Sequence, residues 1–294
     1  MIKKIMLNFY LDVRKTLSRG NGFGQYVVVR KILYYIEHYL KSDFTMIQGS
    51  KMFLGEGDPL NISIEGVWEE SSTKIFKNSI NEGDIVVDVG ASIGYFTLLA
   101  ARLVGNKGKV FAFEPGPENF KILKKNVEVN KYDNVILEQK SVSDINGKIN
   151  LNFTDHIGFH STDFSPDDPV CLRLPTTSIT LDKYFENLNL IGKLNFIKMD
   201  VEGGEFKVLS GMRTILKQQK NLKILAEFMK DFLIQVGSDP KEMLSLLDHN
   251  GFTLFNIDDK NQKLYQTNID ELMHLEELDS TVNIFCEKLD DNLP

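Results

Sequence analysis

Cysteine is scarce in this chain: Cys171 and Cys286 are the only two in 294 residues, and they stand more than a hundred positions apart. A small secreted scaffold needs an even, closely spaced set, so a disulfide framework is excluded and a reducing compartment fits best. Long apolar runs are also lacking. None approaches the roughly 18 to 20 residues that cross a bilayer, and the apolar opening is broken by Asn8, Asp12 and Arg14. Neither a signal peptide nor a transmembrane helix is expected, which points to a cytoplasmic protein. No fixed-period repeat or low-complexity tract is visible. The hydrophobic content of 42% is ordinary for a globular core.

Positive charge is in deficit, and unevenly so. The net charge is −7, yet residues 1–41 hold eight Lys or Arg against Asp12 and Glu37, a local +6 that leaves −13 for the remainder. Such a body repels nucleic acid. In the basic part Ile2, Ile5, Met6, Phe9, Tyr10, Val13 and Leu17 recur at helical spacing, which predicts an amphipathic helix with the cations on its other face. Arg19 to Gly24 breaks that pattern, and a second helix is predicted from about Gln25 to Leu40. The expected arm over residues 1–43 has two readings. Its basic face suits peripheral contact with an anionic membrane or a partner, or the helices simply pack on the body.

Residues 44–80 read as a hairpin followed by a lead-in helix with Ser71 or Ser72 as its cap. The main domain is expected over 81–294, where short apolar runs begin near Ile85, Val110, Val135, Leu194, Ile224, Phe252 and Thr281. Helices are predicted over Tyr95 to Val104, Pro117 to Asn130, Phe206 to Lys217 and Pro240 to Asn250, with Pro117 and Pro240 at first-turn positions. Strands alternating with helices give an α/β fold, a doubly wound and mainly parallel seven-stranded sheet with helices on both faces. The alternation fails twice. Asn146-Gly147 predicts a tight hairpin turn within an insertion at about 144–180, and no helix is expected between the last two strands, which puts an antiparallel last strand at or near the edge.

The turn Asp88-Val-Gly-Ala-Ser-Ile-Gly94 joins a strand to a helix, and its glycines let a ligand touch backbone at the carboxyl edge of the sheet. A dinucleotide fingerprint fails here, because Ser92 and Tyr95 stand where its second and third glycines belong. Asp88 suits an ammonium group, which S-adenosylmethionine carries and a pyrophosphate does not. After the next strand, Glu114 is placed to accept both ribose hydroxyls, and Ser143-Asp144 follows the third strand where an adenine edge is expected. Asp144 also reads as a turn residue opening the hairpin.

These segments closely resemble the FkbM-type S-adenosylmethionine-dependent methyltransferases. The resemblance rests on Gly83 to Thr97, Val110-Phe-Ala-Phe-Glu-Pro-Gly-Pro-Glu-Asn-Phe120, Ser141-Val-Ser-Asp144, Thr180-Leu-Asp-Lys-Tyr184 and Ile197-Lys-Met-Asp-Val-Glu-Gly-Gly-Glu205. It covers roughly residues 65–260 and leaves the arm out; Ser92 and Gly204 stand where the family usually has Asn and Ala. It implies a class I methyltransferase fold with S-adenosyl-L-methionine as cofactor. Asp88, Gly90, Ser92, Gly94 and Tyr95 would lie around the methionine end, Glu114 and Pro115 at the ribose, and Ser143 and Asp144 at the adenine. Trp68 and Glu69 would lie over the methyl end, or Trp68 is a core aromatic.

Methyl transfer to a hydroxyl needs alignment and a base for the departing proton. The expected bases are Asp200 and Glu202 at the end of a strand beside the crevice, where Asp200 also counts among the cofactor contacts. Glu205 reads better as a helix N-terminal charge, and Glu227 closes the next strand. Thr154 to Pro169 is a long polar connection that suits an acceptor lid, from which His156 or His160 supplies an alternative base. No metal is expected: His156, His160 and Cys171 lack a fourth ligand, although Asp200 and Glu202 are the ligand type magnesium takes. The resemblance implies O-methylation of a hydroxyl on a small molecule, glycan or lipid. N-methylation and a non-catalytic cofactor-binding module remain alternatives.

Overall fold

In the computed structural model, which describes residues 6, 9–10, 13, 32–33, 35–36, 39–56, 58, 61–154, 160–161, 170–259, 261–275 and 282–288, the chain forms two units, Met1–Trp68 and Glu69–Pro294. In the first, β1 (Phe44–Ile47) and β2 (Ser50–Phe53) pair antiparallel. Their two-residue turn, Gln48-Gly49, has φ of 48° and 92°, the positive pair that matches the twist of a hairpin. Asp58 then caps α1 (Ile62–Glu65) by accepting from the Ile62 and Ser63 N–H groups at 3.0 and 2.8 Å. The described arm residues up to Leu40 are helical. Tyr10, Leu33, Ile36 and Leu40 gather around Ile64 of α1, so the arm helices bury an apolar face within their own unit.

The second unit contains α2 (Glu70–Ser79), β3 (Ile85–Val89), α3 (Tyr95–Val104), β4 (Lys109–Phe113), α4 (Pro117–Asn130) and β5 (Val135–Glu138). An insertion of β6 (Ser141–Val142), β7 (Gly147–Thr154), β8 (His160–Ser161) and β9 (Val170–Ile179) follows, then α5 (Leu181–Asn187). The chain returns to the main sheet with β10 (Phe196–Met199), α6 (Glu205–Ser210), α7 (Arg213–Gln218), β11 (Leu222–Phe228), α8 (Lys230–Gln235) and α9 (Pro240–His249). It ends with β12 (Thr253–Asp258), β13 (Lys263–Thr267), α10 (Ile269–Met273) and β14 (Val282–Lys288). The main sheet runs β13-β12-β14-β11-β10-β3-β4-β5. From β11 to β5 every pairing is parallel, while β14 is antiparallel to both of its neighbours.

Successive side chains of a strand point to opposite faces, and the two faces here differ in chemistry. Val87, Val89, Ile197, Met199, Ile224 and Ala226 face a large core that includes Phe111, Phe113 and Phe185 and is closed by residues of α5, α6, α7 and α9. On the other face Phe196 meets Phe76 of α2 and Phe285 of β14, and Phe76 meets Phe96 of α3. Asp88 and Lys198 belong by parity to this second face and are register neighbours.

Four expectations are corrected. Eight strands, not seven, form the main sheet among the described residues, because β13 is solvent-exposed and lacks apolar alternation, leaving its pairing with β12 to hold it. The antiparallel last strand lies between β11 and β12, not at the edge, since Asn283 to Cys286 are buried on both faces. A helix, α10, does precede it. Asn146-Gly147 does not close a hairpin: β6 and β7 flank β9 on opposite sides, β6 parallel and β7 antiparallel to it. Two smaller boundaries also move. The helix expected over Phe206 to Lys217 breaks at Gly211-Met212 into α6 and α7. Ser71 and Ser72 lie inside the first turn of α2, whose N-cap is Glu69 at φ 44°.

Candidate functional site

Strand order reverses between β3, which continues to β4, and β10 on its other side; such a switch point opens a crevice at the carboxyl ends of the strands. Two loops meet there. Gly90, at φ 78°, lies so close to the second loop that a Cβ built on it would sit 1.8 Å from the Asp200 carbonyl oxygen. The Gly90 and Ala91 N–H groups both donate to the Phe113 carbonyl, at 3.0 and 2.9 Å, which fastens the first loop to the end of β4. Gly94 has φ 100° and starts α3. Glu114, 4% exposed, accepts from the Ser92 N–H at 2.8 Å through one oxygen and from the Gly116 N–H at 2.7 Å through the other. Each oxygen keeps one acceptor position. Burial pushes this carboxyl up to about 7 despite the two amides.

Asp88 is 1% exposed, and one of its oxygens accepts from the Thr97 hydroxyl at 2.5 Å. Its other oxygen, Oδ1, is buried and has no hydrogen-bond partner among the described residues. Leaving such an atom unsatisfied is costly. A ligand ammonium fits that orphaned acceptor. Burial raises the Asp88 carboxyl, with Lys198 and Thr97 pulling the other way.

Lys198 was not anticipated as part of the site, although a lysine inside the apolar run Phe196-Ile-Lys-Met199 was the available signal. Its Nζ lies 2.7 Å from Asp200 Oδ2 and 4.8 Å from the centre of the Phe96 ring. Asp200 is held twice, since its own N–H donates to the Val89 carbonyl at 3.0 Å. Glu69, raised by burial against the pull of Lys198, accepts at 3.1 Å from Asn283 Nδ2.

The second loop turns sharply at Glu202 and Gly203, with φ of 52° and 87°. Glu205 reaches back to accept from the Val201 N–H at 3.0 Å and is buried, which fixes the turn. Burial and then the Asp200 and Glu205 charges push Glu202 up to about 8, with Lys198 opposing. Burial likewise lifts Glu205 to about 7. Glu227, at the end of the adjacent strand, is raised well above its ordinary value by burial and then by Asp200, Glu202 and Glu205, and its Oε2 is buried without a partner among the described residues.

The remaining expected residues are dispersed. The Tyr95 ring is buried toward α2, where Thr73 Oγ1 donates to its hydroxyl at 3.3 Å, so the crevice has only its backbone to use. Pro115 sits in the turn after β4 between Glu114 and Gly116. Ser143 is buried and its hydroxyl donates to the exposed Asp144 at 3.0 Å. Trp68 ends the first unit. The catalytic role expected of the His160 side chain, and His156 with most of the lid segment, lie outside the described residues; the His160 backbone pairs with Phe153. Among the described residues no group of three or more His, Cys, Asp or Glu is placed to hold a metal ion.

The methyltransferase FkbM domain family matches residues 88–254. The chain is 29% identical over 192 residues to the hexuronic acid methyltransferase AglP of Haloferax volcanii, an alignment covering 63% of this chain and 73% of that protein. It is 26% identical over 148 residues to methyltransferase 1 of Beauveria bassiana, covering 45% of this chain and 59% of the relative. Among solved structures, an rRNA methylase assigned to Clostridium thermocellum superposes with a TM-score of 0.45 at 15% identity, over 76% of this chain and 96% of the other.

Proposed function

The chain belongs to the methyltransferase FkbM family, and on that premise we propose that it O-methylates a hydroxyl of a small molecule or glycan, with Glu202 taking the proton. It is a methyltransferase, and its cofactor is S-adenosylmethionine. When bound, this cofactor supplies an electrophilic methyl group on a sulfonium. Asp88 would receive the ammonium of the cofactor's methionine part on its orphaned oxygen, beside Gly90, Ser92, Gly94 and the Tyr95 backbone. Glu114 would use its two remaining acceptor positions on the ribose next to Pro115, and Ser143 with Asp144 would border the adenine.

The observation that carries the choice of base is the position of Glu202. It stands on a left-handed turn at the carboxyl end of β10, with its carboxyl lifted to about 8. A base with an ionisation point near working pH combines a usable population with a strong pull on the proton. Asp200, by contrast, is bound to Lys198 and to β3 and is better suited to holding the loops together. The hexuronic acid named for the haloarchaeal relative supports a sugar as acceptor.

The test is incubation with methyl-labelled S-adenosylmethionine and a panel of methyl glycosides, hexuronic acids, fatty alcohols and amines. Base-stable label on a hydroxyl supports the reading. Label found only on amines makes the chain an N-methyltransferase, and tight cofactor binding without transfer to any acceptor makes it a binding module.

A further inference from the structure

A lysine whose side chain is 4% exposed in the middle of a parallel sheet needs a reason, because burial disfavours its charge. Here that loss is outweighed. Burial works against the Lys198 ammonium, but Asp200, Glu69 and Asp88 together hold it above its ordinary value. Glu202, Glu205 and Glu227 also lie within its electrostatic reach, and the Phe96 ring closes one side. Lys198 therefore stands among six carboxyl groups contributed by β3, β11, the loop after β10, the start of α6 and the N-cap of α2.

We propose that Lys198 is a positioning residue that pins Asp200 and offsets the carboxylates around the cofactor crevice, so that the site holds a sulfonium cation less tightly than those carboxylates alone would. The proposal rests on S-adenosylmethionine as cofactor. Its rationale is the direction of charge change. The sulfonium carries a full positive charge before transfer and loses it as the methyl group leaves, so uncompensated carboxylates would stabilise the starting state more than the transition state and slow the reaction. A buried ammonium beside Asp200 counters that bias and keeps the Asp200 carboxylate in one place.

Calorimetry with two probes separates this from a structural role. S-adenosylmethionine is a sulfonium and S-adenosylhomocysteine a neutral thioether, and the two differ only by the transferred methyl group and its charge. Lys198→Met is expected to raise the ratio of sulfonium to thioether affinity about tenfold, equal to ~1.4 kcal/mol, while Lys198→Arg leaves the ratio near that of the wild type. If Lys198→Met weakens both ligands by the same factor, the lysine only holds the fold and the proposal falls. Should that variant not fold, nitrogen-15 lysine NMR on the wild type decides. A Lys198 ammonium signal that shifts with the sulfonium and not with the thioether supports the proposal, and an equal response overturns it. Failure of the wild type to bind either probe would instead remove the cofactor reading, and this proposal with it.

Discussion

Gly90 and Asp200 touch backbone to backbone, the space for a Cβ on the glycine being filled by the aspartate's carbonyl oxygen at 1.8 Å. The proposed cofactor loop and the loop that carries the proposed base are therefore packed directly against each other. Gly90→Ala forces the contact open and adds a side chain at φ 78°. The expected cost is at least ~1 to 3 kcal/mol of stability, together with more than a tenfold loss of S-adenosylmethionine affinity. Thermal denaturation and calorimetry check both; wild-type values in each would show the loops to be independent.

Glu202→Gln tests the base. A group that must accept a proton works only when ionised, so with the carboxyl lifted to about 8 the wild-type rate rises with pH through that value and levels above it. The substitution is expected to lower kcat by about 10² to 10⁴, to abolish this rise, and to leave cofactor affinity nearly unchanged. A variant that keeps both the rate and the pH profile would move the role elsewhere.

Stability of the free protein should fall as pH rises. Glu114 and Glu205 are lifted to about 7 and Glu202 to about 8, all from an ordinary 4.5. A carboxyl raised by folding binds its proton more tightly in the native state, so its contribution is complete below 4.5 and lost as pH climbs through the raised value. The melting temperature is expected to decline between pH 5 and 8, and Glu205→Gln, which keeps an acceptor for the Val201 N–H, should make the decline shallower. Parallel curves for variant and wild type would contradict this.

Asp182 offers a prediction outside the crevice. Its two oxygens accept from the Thr214 and Ile215 N–H groups at 2.8 and 2.9 Å, capping α7 from a neighbouring helix. Asp182→Ala should cost about 0.5 to 2 kcal/mol in chemical denaturation without changing cofactor affinity. A loss of binding equal to the loss of stability would tie α7 to the site.

The parts of the fold written in local chemistry were legible in the sequence. The helices Tyr95–Val104 and Pro117–Asn130 have the expected bounds, the second opening on its first-turn proline. Asp88 and Glu114 were legible as acidic residues at strand ends, and both are buried at the switch point. What escaped was set by long-range pairing. Lys263–Thr267 is a strand only because β12 offers it partners, and β14 is central only because β11 and β12 leave a place between them. Lys198 escaped for a related reason. Asp200 stands two positions on, but Asp88 and Glu69 lie more than a hundred positions away in the chain, so the sequence shows only part of the charge network.

The placement of β14 also bears on how this protein is made. Until Val282–Lys288 leaves the ribosome, β11 and β12 each present an unpaired edge across an empty slot in the sheet, and such edges invite pairing with other chains. A chain halted before Val282 would thus have its aromatic layer open beside Phe196 and Phe255, the rings that Phe285 covers. Chaperone dependence should accordingly last until β14 has been made, beyond assembly of the proposed cofactor loops.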